Sequence, residues 1–266
     1  MRPGKTIVFI IIAFVAGVMV LAATEPWLLY EGRDRLGRAL APYLPRVPDV
    51  VQKPRRPLTE RLAARGMSLG APAFIRIHKA ESGLEVWLKK GPRFELFETF
   101  EICRWSGAAG PKLREGDGQA PEGFYPVTRR QLNPNSAHHL AFNLGYPNAF
   151  DRANGRTGSA LMVHGGCSSI GCYAMTDRGL DDIYAIVESA LVAGQRAVPV
   201  LALPFRMTGE ALAAHAGEAW SEFWGDLAAA DALFEQHRLP PAASVCGRRY
   251  VFGARPGPGC RPISGW

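Results

Sequence analysis

Apolar and polar residues alternate through the middle of this chain in the period-two rhythm of half-buried strands. Phe94-Glu95-Leu96-Phe97-Glu98-Thr99-Phe100 is the clearest case. Phe74–His78 and Leu84–Leu88, separated by a Ser82-Gly83 turn, predict a hairpin. Further strands are predicted at 124–128, 139–143, 159–164 and 198–203, with a short one at Tyr250-Val251-Phe252. The rhythm becomes helical over Arg178–Ala193, where Leu180, Ile183, Ile186 and Val187 recur on one face and Gly194 stops the run. Two more helices are predicted at about 209–216 and 218–237. Gly107–Gly123 is too rich in Gly and Pro for regular structure and reads as a long loop. Residues 66–266 therefore predict one α+β domain, a mostly antiparallel β core with helices appended late in the sequence.

The first 65 residues have another pattern. Arg2 and Lys5 precede an uncharged, mostly apolar run from Thr6 to Ala23, which makes residues 1–24 a signal anchor or a signal peptide. Val20-Leu21-Ala22 is a poor cleavage site, which favours an uncleaved helix in the inner membrane. Residues 25–65 read as a basic helical arm and a Pro-rich linker. Trp27–Leu44 has an amphipathic pattern, Pro48, Pro54 and Pro57 stiffen the linker, and a brief helix is predicted at Leu58–Arg65.

Charge sharpens that division. Residues 1–65 carry eleven Lys and Arg against five Asp and Glu, whereas residues 66–266 carry twenty against nineteen. Six of the seven net positive charges thus reside in the arm, where they suit anionic headgroups. No nucleic-acid-binding motif accompanies it, so nucleic acid is not an expected partner.

The densest chemistry lies in His164-Gly165-Gly166-Cys167-Ser168-Ser169-Ile170-Gly171-Cys172-Tyr173-Ala174-Met175-Thr176-Asp177-Arg178. A histidine closing an apolar run and a Gly-Cys pair after a loop of small residues could supply a thiol nucleophile, its base and free backbone amides. Cys172 is the candidate nucleophile, against the bland alternative of a buried cysteine. His164 is the candidate general base, against a core histidine with a satisfied hydrogen bond. The amides of Gly171, Cys172 and Tyr173 would face an oxyanion, and Ser169 would brace the loop or simply form a turn. With a histidine eight residues upstream, the Cys172 thiolate is expected to be favoured over that of an ordinary cysteine.

The remaining cysteines leave choices open. Cys246 and Cys260 flank a Gly/Pro-rich segment and are equally readable as a disulfide or as two thiols. Cys103 and Cys167 are harder to pair, because a bridge at Cys167 would constrain the nucleophile's neighbours. His138, His139, His164, Cys167 and Cys172 lack the spacing of a zinc site, so no metal or other cofactor is expected.

His-Gly followed by Ser-x-Gly-Cys resembles the signature of the L,D-transpeptidase (YkuD-like) catalytic domain. The continuation Cys-Tyr-Ala-Met-Thr-Asp is most similar to its YafK-like branch. The resemblance extends through Gly116-Asp117-Gly118-Gln119-Ala120-Pro121-Glu122-Gly123-Phe124-Tyr125 and Phe142–Asp151, and spans about residues 70–210. It implies a β-sandwich-like catalytic fold and a periplasmic enzyme whose cysteine forms a thioester with a peptidoglycan stem peptide. An amine would resolve the thioester to a cross-link and water would resolve it to hydrolysis, including hydrolysis of protein attachments. It also implies that a main-chain carbonyl, that of Gly165 or Gly166, orients the imidazole. Two departures stand out: Ile170 occupies the place of a second histidine, and Ala174 that of a carboxylate-binding arginine. Arg152 and Arg156 are the candidate replacements, with solvated loop charges as the alternative, and Tyr146 is a candidate for the cleft wall. A rival from another class is a membrane-tethered peptidoglycan-binding protein with an inactive site.

Overall fold

The computed structural model describes residues 55–253 and 257–263. The expected membrane helix, the amphipathic arm and nearly all of the linker lie outside the described residues. Among the described residues no helix is long and apolar enough to cross a membrane.

The protein is mostly sheet with a few helices. After α1 (Leu58–Ala63), the strands β1 (Ala73–His78), β2 (Gly83–Lys90) and β3 (Arg93–Arg104) form an antiparallel meander. Next come β4 (Gly123–Val127), β5 (Leu132–Ser136), β6 (His139–Asn143), α2 (Ala149–Ala153), β7 (Met162–His164) and β8 (Tyr173–Met175). The chain finishes with α3 (Asp177–Val192), β9 (Val198–Leu203), α4 (Gly209–Ala214), α5 (Ser221–His237), β10 (Ala243–Cys246), β11 (Arg249–Phe252) and β12 (Arg261–Pro262).

Nine strands make one sheet in the order β4-β9-β1-β2-β3-β8-β7-β6-β5, and β11-β10-β12 make a second. The long strand β3 joins the two halves of the large sheet, pairing β2 through Arg93–Glu101 and β8 through Ile102 and Arg104. The sheet is not antiparallel throughout, since β1 runs parallel to β9 and β7 parallel to β8. β1 and β9 are buried along their whole length, as expected of strands covered on both faces.

Two cores explain that double burial. Ile75, Ile77, Val86, Phe142, Val163, Tyr173 and Met175 come from both halves of the sheet and enclose Leu180, Ile183, Ile186 and Val187 of α3. Thr176 starts α3 by accepting a hydrogen bond from the Gly179 amide. On the other face, Phe74, Trp87 and Leu203 pack with Trp224, Leu227 and Phe234 of α5 and with Val245 and Tyr250 of the small sheet. The brief N-terminal helix docks on the domain: Leu62 is buried in the first core, and Arg61 pairs with Glu98 and Asp182.

Residues 105–122 contain no helix or strand, yet they are firmly held. Lys79, at the end of β1, is fully buried. Its Nζ lies 2.8 Å from Glu122 Oε1 and 2.9, 2.9 and 3.0 Å from the carbonyls of Ala108, Gly110 and Ala120. Glu122 also accepts from the Gly110 amide and from Trp224 Nε1. Burial pulls the Lys79 ammonium below its ordinary value, with the Glu122 carboxylate opposing. Removing one partner leaves an uncompensated buried charge, which typically costs about 3–5 kcal/mol. Lys79→Met should therefore destabilise the domain by about that amount in urea denaturation. The Lys79→Met, Glu122→Leu pair should lose less than the sum of the single changes, and strict additivity would mean that the two side chains act separately.

Candidate active site

The chain passes from β7 to the adjacent parallel strand β8 in eight residues, whereas parallel neighbours usually need a longer crossover. Left-handed backbone makes the short return possible. Gly166 and Gly171 have φ of 83° and 88°, and Cys167 takes 48°, an uncommon value for a residue with a side chain.

This loop is fastened along its length. Gly165 N donates to Leu140 O, Gly166 N to Asp177 Oδ1 at 2.7 Å, and Cys167 N to Met175 O. A side chain at Gly165 would bring its Cβ within 2.5 Å of Asp177 Oδ1 and 3.0 Å of the His138 carbonyl, so glycine is required by contact. Cys167 forms a disulfide with Cys103 on β3, with Cα atoms 5.4 Å apart. The sequence makes this pairing look improbable because Cys167 sits in the catalytic loop. The register resolves the difficulty: β3 borders β8, so Cys103 lies beside the strand to which the loop returns. The bridge constrains the first half of the loop and leaves Cys172, in the second half, as the free thiol among the described residues. Cys246 and Cys260 also form a disulfide, which closes the small sheet.

Strand register aims the two candidate catalytic side chains. Val163 lies beside Tyr173, and His164 beside Ala174. Val163, Tyr173 and Met175 enter the core, so by alternation Met162, His164 and Ala174 belong to the opposite face. Cys172 immediately precedes β8, at the Met162 end of β7. The Met162 amide donates to Cys172 Sγ at 3.4 Å, and the sulfur lies 3.6 Å from the Ala160 carbonyl. No hydrogen bond joins His164 to the sulfur.

His164 is 2% exposed, and its Nδ1 sits 2.6 Å from the Gly165 carbonyl. A carbonyl only accepts, so Nδ1 carries the proton and Nε2 presents its lone pair. Gly165 is thus the orienting residue of the two glycines considered. Burial lowers the His164 imidazole below 6.5, the Gly165 carbonyl opposes this, and the ring of His138 reinforces it. Burial also raises the Cys172 thiol above 9.0, against the Met162 amide, the Lys112 ammonium and the Ser169 hydroxyl. The sequence leads one to expect a favoured thiolate. The structure instead pushes the thiol up and the imidazole down, because desolvation outweighs the available donors.

Two of the three expected oxyanion donors are already engaged. Gly171 N donates to Ser106 Oγ at 2.5 Å and Cys172 N to Ser169 Oγ at 2.9 Å, while Ser169 Oγ donates to Cys172 O at 2.8 Å. Ser169 therefore braces the turn, and two hydroxyls occupy the amides in this state. Tyr173 is fully buried with its hydroxyl on the Pro121 carbonyl, so its side chain belongs to the core.

Arg152 and Arg156, offered by the sequence as carboxylate partners, have partners of their own within the fold. Arg156 is buried, pairs with Asp151 at 2.9 Å and lies over the rings of Phe150 and Phe223, so its charge is used inside the fold. Arg152 is exposed and donates to the Pro147 carbonyl in its own turn. Tyr146, the candidate for the cleft wall, is buried and donates to the Lys112 carbonyl, a contact that supports the loop.

Three contributors carry little local signal in the sequence. Ser106 and Lys112 are sixty or more residues from the cysteine they influence. Lys112 Nζ is held 2.5 Å from Asp117, whose oxygens also accept from the amides of Leu113, Arg114 and Gln119. Asp117 of the Gly-Asp-Gly motif thus shapes the loop that carries Lys112. Burial would raise its carboxyl, but Lys112 and these amides outweigh it and hold it low. The third contributor, His138, is the second residue of the two-residue turn between β5 and β6, and its ring lies tilted against His164 with centroids 4.7 Å apart.

No family profile matches the chain. It is 47% identical over 183 residues to the "Putative L,D-transpeptidase YafK" of Escherichia coli strain K12, covering 69% of this chain and 74% of the relative. This chain belongs to the L,D-transpeptidase family, in its YafK-like branch. The protein of the same name from Escherichia coli O157:H7 gives the same identity and coverage. Among solved structures, the helical cell shape determining protein Pgp2 from Campylobacter jejuni aligns with a TM-score of 0.41 at 23% identity, covering 56% of each chain. Bdellovibrio bacteriovorus Bd1075 aligns with a TM-score of 0.36 at 19% identity, covering 51% of this chain and 48% of that one.

A neutral resting thiol has a measurable signature. Alkylation of Cys172 by iodoacetamide should be slow at neutral pH and keep accelerating past pH 9, because the raised thiol ionises only there. A rate already flat from pH 7 upward would mean that the thiolate is present at rest.

Proposed function

We propose that this protein is a cysteine-dependent acyl-transfer enzyme that acts on peptidoglycan stem peptides. The observation that carries the reading is that a free thiol, Cys172, and His164 are held at the adjacent parallel strands β8 and β7, with Nδ1 of the imidazole on the Gly165 carbonyl so that Nε2 carries the lone pair. The name of the 47% identical relative supports the same class of reaction.

In this reading His164 Nε2 takes the proton of Cys172 as the sulfur attacks a stem-peptide carbonyl. The S–C bond forms, and the oxyanion is met by amides released when Ser169 or Ser106 turns aside. The tetrahedral intermediate then expels the amine, which receives the proton held by the imidazolium. An acceptor amine attacks the thioester, gives its proton to Nε2 and displaces the sulfur, which regains that proton. Water in the acceptor's place yields hydrolysis by the same steps. The neutral imidazole suits this order of events, because a base already carrying a proton could not begin it.

Two disulfides support an oxidising compartment. Together with the apolar run at residues 6–23 they support a periplasmic domain tethered to the inner membrane. Incubating the protein with purified muropeptides and resolving the products by mass tests the activity. Cross-linked dimers or shortened stems that vanish in Cys172→Ala, and fall by about 100-fold or more in His164→Ala, are expected. Unchanged muropeptides that nevertheless bind would make the protein a peptidoglycan binder with an inactive site.

A further inference from the structure

We propose that His138 is a positioning residue of the catalytic base: its ring caps His164 and, once protonated, keeps the inner imidazole free to accept a proton as the medium acidifies. The inference rests on the reading of His164 as that base and adds to it a second imidazole from a different part of the fold.

The geometry is direct. The two rings lie with centroids 4.7 Å apart and planes 35° from parallel. His164 is buried while His138 is exposed, so the pair consists of an inner ring and an outer one. His138 reaches this position from the tip of the β5–β6 hairpin, where its amide donates to Ser136 Oγ. The same turn packs against the start of the catalytic loop. The His138 carbonyl would lie 3.0 Å from a Cβ at Gly165, and its Cβ and Nδ1 each 3.7 Å from one at Gly166. With Nδ1 of His164 fixed on Gly165 O and one ring face covered by His138, few orientations remain for Nε2.

The electrostatics derive from the same contact. Protonation of both rings at this separation would place two positive charges about 5 Å apart, so the first proton discourages the second. A positive outer ring disfavours a second charge on the inner one, which desolvation already penalises. The other ionisable groups around the base are Cys172 across the strand pair, Asp177 on the Gly166 amide, and His139, which is paired with Asp181. Only His138 among them has a ring contact with His164. His139, adjacent in sequence, is occupied by Asp181 and cannot substitute for it.

The test is a histidine titration by NMR on the described domain carried in the full chain, comparing wild type with His138→Phe and His138→Ala. Phenylalanine keeps a ring over His164 and removes the charge. The His164 titration should move up by at least about half a pH unit in His138→Phe, the shift two charges about 5 Å apart produce even in water. The acid limb of Cys172 acylation should move up with it. His138→Ala should show the same shift and also a lower rate at pH 8, since the cap is lost. An unchanged His164 titration in His138→Phe overturns the proposal, as does an unchanged titration paired with a uniformly lower rate. The titration needs no turnover, so a protein that never acylates yet shows the shift would defeat the enzymatic reading and keep the coupling.

Discussion

The buried pair Lys79–Glu122 is the constraint on which the site depends. A loop of eighteen residues with no regular structure has no ladder of its own to hold it, and its backbone groups must find partners elsewhere. Lys79 gathers three of its carbonyls and one carboxylate at the end of β1, converting an irregular segment into a rigid wall. From that wall Ser106 reaches the Gly171 amide, Pro121 receives the Tyr173 hydroxyl, and Lys112 is placed near Cys172. The catalytic loop is consequently shaped from two sides: by the wall over its second half, and by the Cys103 disulfide and Asp177 over its first.

Rigidity at rest has a chemical consequence. The Gly171 and Cys172 amides are engaged with serine hydroxyls, while burial lowers the His164 imidazole and raises the Cys172 thiol. In the proposed reaction such a site would hold its charges in reserve, creating them only when substrate displaces water and a carbonyl enters the loop. Desolvation also disfavours a permanently exposed thiolate, which in an oxidising compartment would be open to oxidation.

Much of this was legible in the chain. The apolar runs around the Ser82-Gly83 turn gave β1 and β2, the period-two run gave β3, and the Leu180-Ile183-Ile186-Val187 spacing gave α3, which buries one continuous apolar face. The parallel strand β8 and the hairpin strand β5 were not visible as periodic runs. Three residues cannot display a period, and Leu132–Ser136 is an edge strand of mostly polar residues. In the site, Cys172, His164 and the orienting Gly165 were readable because they are close in sequence. Ser106, Lys112 and His138 arrive through tertiary contacts, as does the Cys103 bridge to a loop where pairing looked improbable. Arg156 misleads for a related reason: a basic residue near a motif resembles a ligand for anions until Asp151 is seen to neutralise it in the core.

The most direct measurement is the site of covalent acylation. The protein is incubated with a carbapenem, quenched and digested without reduction, and the adduct is located by peptide mass. The account predicts a single adduct on Cys172, with the Cys103–Cys167 disulfide intact in the same molecules. An adduct on Cys167 or Cys103, with the bridge opened, would contradict it.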